Sequence, residues 1–184
     1  MIWIISGPTC SGKSTFLTSP ARKQYTDISP LAPVIFPRNL TKQRIFANFD
    51  FYYHYNILKY ANQLFRKNLL KPDNYTNFNE PMWIQLLSQN SGKKAIVLVV
   101  RRSILEKRVV TRVDSEPKRI RRKHNVRFLR EQKLTLLREV NLELVYQEWC
   151  RELRMNQIPF TLIESRDGSF SSLQPHQIKG LDST

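Results

Sequence analysis

Residues 7–15 constrain the fold of this chain more than any other segment. They read Gly-Pro-Thr-Cys-Ser-Gly-Lys-Ser-Thr, so that Gly7 and Gly12 enclose four residues and Lys13 and Ser14 follow at once. The apolar run at residues 2–6 predicts a buried strand before this segment, and a helix is expected after it. Glycines let the backbone curl so that successive N–H groups point at an anion, and the positive end of the helix points at the same place. The pattern therefore predicts a phosphate-binding loop between a strand and a helix.

The residue types after the second glycine suggest which phosphate compound binds. In loops of this pattern the lysine reaches the β- and γ-phosphates of a nucleoside triphosphate, and the following hydroxyl ligates Mg²⁺. We therefore expect ATP and Mg²⁺ as cofactors, with Lys13 on the phosphates and Ser14 on the metal. The residues expected to bind the cofactor are Gly7, Thr9, Cys10, Ser11, Gly12, Lys13, Ser14 and Thr15.

Strand and helix patterns alternate along the rest of the chain. Strands are predicted near residues 34–36, 44–53, 95–100 and 160–163, with helices near 57–70, 82–87, 103–113 and 125–155 and a loop-like tail after Ser165. The near-continuous apolar run at 95–100 is typical of a central parallel strand. The alternation predicts an α/β chain with a doubly wound parallel sheet, and 184 residues fit a single domain over 1–184.

Two further segments carry a family resemblance. Residues 96–100 form an apolar strand, and the helix pattern at 105–112 follows with Arg108 and Arg112. Together with the loop at residues 7–15, they make the chain similar to the small P-loop kinases of the nucleotide and nucleoside kinase type. The resemblance implies a three-layer P-loop NTPase fold with a five-stranded parallel sheet. It also implies a mobile, arginine-rich lid at about residues 112–126.

The positive charge of the chain is clustered around the expected lid. The whole chain has a formal net charge of +15, and residues 101–133 hold thirteen Lys or Arg against four acids, a net +9. Arg108 and Arg112 lie one helical turn apart and are expected to stabilise the transferring phosphoryl group. Arg119 and Arg122 are further lid candidates. Because the cations exceed what ATP requires, we expect a substrate with several phosphates, such as DNA.

The acceptor side of the predicted site is less well defined by the sequence. Asp50 is expected near the end of a strand, where ligands bind in sheets of this kind, and could hold Mg²⁺ through water or accept a proton from the attacking hydroxyl. His54 is the second candidate for that proton, and the sequence leaves the choice open. Tyr53 and Trp83 could stack on a nucleobase, or could simply pack in the core.

These observations favour an ATP-dependent phosphotransferase acting on a nucleotide, nucleoside or nucleic acid. In its resemblance and its basicity together, the chain is similar to phage-type P-loop kinases that phosphorylate 5-hydroxymethyluracil within DNA during base hypermodification. The alternatives are a free nucleoside or nucleoside-monophosphate kinase, a polynucleotide 5′-end kinase, and a non-catalytic module that binds nucleotide or nucleic acid.

The remaining expectations concern the environment of the chain. Two cysteines are too few for a disulfide framework or a zinc site, which favours a reducing cytoplasm, the host cytoplasm if the protein is viral. The apolar start lacks a basic segment before it and is not expected to be a signal peptide. No apolar run approaches the length of a membrane span, so no membrane partner is expected. The oligomeric state stays open.

Overall fold

A computed structural model describes residues 1–29, 31–35, 50–78, 81–114 and 126–179. These residues form six strands, seven α-helices and one 3-10 helix. The strands are β1 (Ile2–Gly7), β2 (Val34–Ile35), β3 (Phe51–Asn56), β4 (Lys93–Val99), β5 (Phe160–Arg166) and β6 (Ser169–Leu173). The helices are α1 (Lys13–Thr18), α2 (Ala21–Tyr25), α3 (Lys59–Arg66), α4 (Pro81–Leu87), α5 (Arg102–Asp114), α6 (Val126–Glu139) and α7 (Leu142–Met155), and the 3-10 helix is Pro175–Ile178.

The six strands form one sheet in the order β2-β3-β1-β4-β5-β6. The first five strands are parallel, and β6 pairs with β5 in the antiparallel sense. Gly7 at the end of β1 lies beside Asn56 at the end of β3. The carboxyl ends of the parallel strands therefore share one edge of the sheet, which is where ligands bind in open α/β sheets.

Helices cover both faces of this sheet because the side chains of β1 alternate between two hydrophobic clusters. Ile2 and Ile4 belong to the larger cluster, which also contains residues of α3 to α7. Trp3 and Ile5 belong to the second cluster, where Phe16 of α1 packs. The predicted α/β class with a mainly parallel sheet is therefore confirmed, with helices in a layer on each side.

The sheet has one more strand than predicted, because the segment after Ser165 is not a loop. β5 and β6 are joined by the two-residue turn Asp167-Gly168, and both residues have positive φ angles, 39° and 86°. This is the pattern of a type I′ hairpin turn, for which Asp-Gly is a preferred pair. The Asp-Gly signal was available in the sequence and predicts the hairpin that the tail forms.

The long helix predicted at 125–155 is two helices, α6 and α7. Asn141 begins the second one: its backbone is extended, and its side chain accepts a hydrogen bond of 2.8 Å from the backbone N–H of Leu144. Asparagine is among the best residues at this capping position. The apolar side chains of Leu137, Val140 and Trp149, on either side of the break, are all buried.

The strand predicted at 44–53 also differs in the structure. β3 runs from Phe51 to Asn56, and residues 44–49 lie outside the described residues. The strand thus continues three positions beyond its predicted end, which changes the residues that reach the carboxyl edge of the sheet. Among the described helices, none is long and apolar enough to cross a membrane.

Candidate functional site

Residues 7–12, which we call the Gly7 loop, connect β1 to α1. Cys10 and Gly12 both have left-handed backbones, with φ angles of 64° and 89°. The backbone N–H of Ser11 donates to the carbonyl of Pro8 at 3.2 Å, and the N–H of Phe16 donates to the carbonyl of Gly12 at 2.7 Å. These bonds curl the loop tightly into the first turn of α1. The strand, loop and helix therefore follow one another in the predicted order.

Lys13 is the first residue of α1, and its side chain folds back into this loop. Its Nζ donates to the carbonyl of Gly7 at 2.8 Å, to the carbonyl of Pro8 at 2.6 Å and to Ser11 Oγ at 3.3 Å. Its side chain is buried, and burial is the main cause that lowers its pKa to about 7, with a smaller contribution from the charge of Arg112. Three acceptors match the three protons of the charged ammonium group. The loop therefore holds the Lys13 side chain in place, and a bound anion would favour its charged form.

A cavity of about 540 Å³ opens beside the Gly7 loop. The loop and the start of α1 contribute Thr9, Cys10, Ser11, Gly12, Lys13, Ser14 and Thr15 to its lining. The remaining lining residues are His54, Asn56, Arg108, Arg112, Ser165, Gly168 and Phe170. Most residues predicted to bind the cofactor therefore line one cavity, together with the two predicted arginines and His54. Gly7 contributes through its carbonyl, which holds Lys13.

The two arginines of α5 differ in their surroundings. Arg108 donates from Nη1 to Ser165 Oγ at 3.1 Å and from Nη2 to the carbonyl of Ser165 at 3.2 Å. Its Nη1 also lies 3.5 Å from the carbonyl of Cys10 in the Gly7 loop. Arg112 is exposed and lines the same cavity. Arg119 and Arg122, the further lid candidates, fall between α5 and α6 and lie outside the described residues.

The end of β3 supplies two polar side chains to the cavity. His54 pairs with Ile5 and Asn56 with Gly7 in the sheet register, which places both at the edge that carries the Gly7 loop. Burial lowers the pKa of His54 to about 4, and the charges of Lys13 and Arg112 add to this effect while a backbone hydrogen bond opposes it. His54 is therefore neutral near pH 7 and has an imidazole nitrogen able to accept a proton.

Asn56 is a site residue that sequence reasoning missed. Its Nδ2 donates to Thr9 Oγ1 of the Gly7 loop at 3.0 Å, and its Oδ1 accepts from the backbone N–H of Leu58 at 3.1 Å. The side chain thus ties the end of β3 to the loop. It was missed because the strand was predicted to end at residue 53, which left Asn56 in the following segment.

Asp50 does not belong to this site, and the prediction that it serves the acceptor or the metal is wrong. It precedes β3, and its Oδ1 accepts a 2.6 Å hydrogen bond from the N-terminal ammonium of Met1. The five steps from Phe51 to Asn56 span about 16 Å at the usual rise of a strand. Asp50 is therefore at the opposite edge of the sheet, because the strand begins beyond it instead of ending near it.

Tyr53 and Trp83 were predicted either to stack on a nucleobase or to pack in the core. Both are fully buried, and neither lines the cavity beside the Gly7 loop. Trp83 donates from Nε1 to Glu152 at 2.7 Å and packs against Trp149, with ring centres 4.9 Å apart. Tyr53 points to the same side of the sheet as these rings. Trp83 also lines a second cavity, of about 580 Å³. The burial of both side chains agrees with the alternative role, packing in the core.

The described residues contain no group of three or more His, Cys, Asp or Glu side chains that could hold a metal ion. A magnesium ion that arrives with a nucleotide needs less, because Mg²⁺ keeps several waters and takes most other ligands from the phosphates. Ser14 lines the cavity, and a serine hydroxyl is a suitable oxygen ligand. Ser14 therefore fits the predicted role, whereas Asp50 is at the wrong edge of the sheet.

Comparison with known proteins adds no relative: no protein-family model matches the chain, and no curated protein matches it. A function therefore has to be inferred from the cavity and the residues around it.

Proposed function

We propose that this protein is an ATP-dependent phosphotransferase that moves the γ-phosphate to a hydroxyl group of a nucleic-acid or nucleotide substrate. The observation that carries the proposal is the position of Lys13, whose ammonium group is held between the carbonyls of Gly7 and Pro8 on the wall of a cavity that Arg108 and Arg112 also line. A curled loop around the Lys13 amine is suited to phosphate oxygens, which would favour its charged form and replace the carbonyls as acceptors.

The chemistry of transfer follows from the charges in the cavity. The attacking hydroxyl oxygen forms a bond to the γ-phosphorus while the bond between that phosphorus and the leaving ADP oxygen breaks. Negative charge spreads over the phosphoryl oxygens during this step, and Lys13 and Arg112 can stabilise it there. Mg²⁺ bound with ATP, and held by Ser14, would neutralise further phosphate charge.

The proton of the attacking hydroxyl needs an acceptor, and His54 takes that role in the proposal. It lines the cavity with Lys13 and is neutral near pH 7, because its pKa is lowered to about 4. A neutral imidazole accepts a proton, and the negative charge of bound ATP would offset the nearby cations and strengthen it as a base. This assignment replaces Asp50, which lies at the other edge of the sheet.

For the acceptor we propose the hydroxymethyl group of 5-hydroxymethyluracil in DNA. Two features support a polymer: the net charge of +15 and the net +9 within residues 101–133. The resemblance to phage-type DNA-modification kinases supports the modified base. An enzyme that phosphorylates a base inside a duplex also has to take that base out of the stack, which costs free energy. Contacts between basic side chains and the DNA phosphates can offset this cost.

The test is transfer of label from γ-³²P-ATP to a panel of acceptors. The panel contains plain DNA, DNA with 5-hydroxymethyluracil, DNA with free 5′-hydroxyl ends, and free nucleosides and monophosphates. Lys13→Ala is the inactive variant, and Lys94→Ala is the matched control, because Lys94 pairs with Asp27 near the other edge of the sheet. We expect label on internal modified bases, with a rate that falls steeply as salt rises.

Other outcomes of the same panel separate the alternatives. Label only on strand ends would identify a polynucleotide 5′-end kinase, and label only on free nucleosides or monophosphates would identify a metabolite kinase. Binding of ATP without transfer to any acceptor would favour the non-catalytic module. If Lys13→Ala transfers label at the same rate as the wild type, phosphoryl transfer does not take place in the cavity beside the Gly7 loop.

A further inference from the structure

Arg108 connects three separate parts of the site. It extends from α5, its two terminal nitrogens donate to the side chain and the carbonyl of Ser165 on β5, and one of them also reaches the carbonyl of Cys10 in the Gly7 loop. A guanidinium group has several donors in a fixed planar arrangement, so it can hold such oxygens at set positions. The contacts of Arg108 therefore fix a helix, a strand and the loop relative to one another.

Ser165 is the buried anchor of this arrangement. It is 1% exposed, although serine in a strand usually faces solvent. The Gly7 loop packs directly on it: a Cβ added to Gly12 would lie 3.0 Å from Ser165 Oγ and 3.7 Å from Arg108 Nη1. The space between the loop and β5 is therefore filled by the hydroxyl and the guanidinium, and a shift of either would move the loop.

We propose that Arg108 and Ser165 form a clasp that holds the Gly7 loop in its anion-binding shape, so that Arg108 is a positioning residue and Ser165 is its partner. This inference rests on the proposed function and divides the roles of the two arginines on α5. Arg108 donates to oxygens of β5 and approaches the Gly7 loop, and Arg112 lines the cavity, where its charge acts on both Lys13 and His54. Arg112 is then the arginine that meets the phosphates.

The clasp predicts a particular pattern of nucleotide affinity. Hydrogen bonds to a charged group contribute enough that losing the clasp should weaken Mg·ATP binding about 10- to 100-fold. Ser165→Ala and Arg108→Ala should each weaken binding, and the double variant should be no weaker than Arg108→Ala alone, because both changes remove the same interaction. Arg112→Ala and Ser165→Ala, in contrast, should multiply, since they act separately.

The control is another buried strand serine. Ser6 on β1 is fully buried, donates to the carbonyl of Ile96 at 3.0 Å and does not line the cavity. Ser6→Ala should lower the melting temperature without changing Mg·ATP affinity. Arg108→Lys keeps the charge but loses the planar donor set, and it should resemble Arg108→Ala. If Ser165→Ala does not fold, Arg108→Lys tests the clasp in its place.

Calorimetric titration with Mg·ATP and thermal unfolding of the nucleotide-free variants test the clasp together. Multiplicative effects of Arg108→Ala and Ser165→Ala on affinity, or an Arg108→Lys variant that binds like the wild type, would overturn it. So would an Arg108→Ala variant with normal affinity and a rate reduced by about 10³-fold or more, the result expected of a direct phosphoryl contact.

The unfolding data separate the clasp from the proposed function. In the nucleotide-free protein, each single variant should lower the melting temperature by about 2–4 °C, with no further drop in the double variant. If this coupling is present but the wild type binds no ATP, the proposed function fails and the clasp stands. If ATP binds but the shifts in melting temperature simply add, the clasp fails and the proposed function stands.

Discussion

Replacing Gly12 by alanine tests how closely the Gly7 loop must approach β5. The φ angle of Gly12 is 89°, and a left-handed backbone costs a residue with a Cβ about 1–2 kcal/mol. The added methyl group would also lie 3.0 Å from Ser165 Oγ, and forcing an extra methyl group into a packed region costs about 1–3 kcal/mol. Gly12→Ala should therefore lower the free energy of unfolding by about 2–5 kcal/mol.

Gly168 provides a matched control for the backbone part of this cost. Its φ angle is 86°, nearly that of Gly12, but a Cβ there would meet nothing within 4 Å. Gly168→Ala should therefore lose only about 1–2 kcal/mol, the cost of the left-handed backbone. The difference between the two variants, measured as unfolding free energies in urea, isolates the contact between the loop and Ser165.

The contact also predicts a partial rescue. Adding Ser165→Ala to Gly12→Ala removes the hydroxyl that the new methyl group meets, so the double variant should be less destabilised than the two single effects together. Mg·ATP affinity should fall in Gly12→Ala, because the loop cannot keep its shape. Equal losses of stability in Gly12→Ala and Gly168→Ala, or a strictly additive double variant, would refute the close approach on which this reasoning depends.

Three further predictions concern charge. Asp50→Asn should leave the rate of phosphoryl transfer unchanged and lower the free energy of unfolding by at most about 1 kcal/mol, because the exposed pair of Asp50 with Met1 is at the far edge of the sheet. A large loss of transfer rate would contradict this placement. The pKa of His54 is lowered from 6.5 to about 4, so the unfolded chain binds a proton between these pH values that the folded protein does not. Stability should therefore fall as pH decreases from 6.5 to 4, and less so in His54→Asn, as urea midpoints across that range would show; equal slopes would contradict it. ATP binding should cause proton uptake at pH 5.5 that His54→Asn reduces, measured by calorimetry in buffers of different ionisation enthalpy; equal uptake in both proteins would argue against His54 as the coupled group.

The loop around Lys13 could be predicted from sequence because its information is local. The spacing from Gly7 to Ser14, the apolar run before it and the helix after it are all contiguous, and the structure keeps them in that order. The α/β class was predictable for the same reason, since buried strands such as β4 read as apolar runs. The arginines of α5 were suggested by the family resemblance and by their helical spacing, which is also a local property.

The acceptor side could not be predicted in the same way, because it depends on pairing between distant segments. The aromatic residues near β3 favour a strand but do not say where it ends. Its end is set by the register with β1, which brings Asn56 level with Gly7. A boundary predicted three residues too early put Asp50 near the site and left Asn56 out of it, although the strand itself was expected.

Ser165 shows a second limit of sequence reasoning. A serine near the end of a strand gives no sign of burial, and nothing in the order of residues links it to an arginine 57 positions earlier. Only the packing of β5 against the Gly7 loop makes its hydroxyl a partner of Arg108. The prediction of a loop after Ser165 was wrong for a simpler reason. The Asp167-Gly168 pair is a local signal for a hairpin turn, and the prediction did not use it.

Arg108 and Arg112 bring these two kinds of information together. By sequence they are equivalent, one helical turn and about 6 Å apart on the same face of α5. In the structure one is bound to Ser165 and the Gly7 loop, and the other is exposed at the cavity. Phosphoryl transfer needs both arrangements: a loop that does not reorganise as charge develops, and a cation placed where the charge appears. A pair of arginines on one helix can supply both, because Arg108 lies against Ser165 and the Gly7 loop while Arg112 lines the cavity.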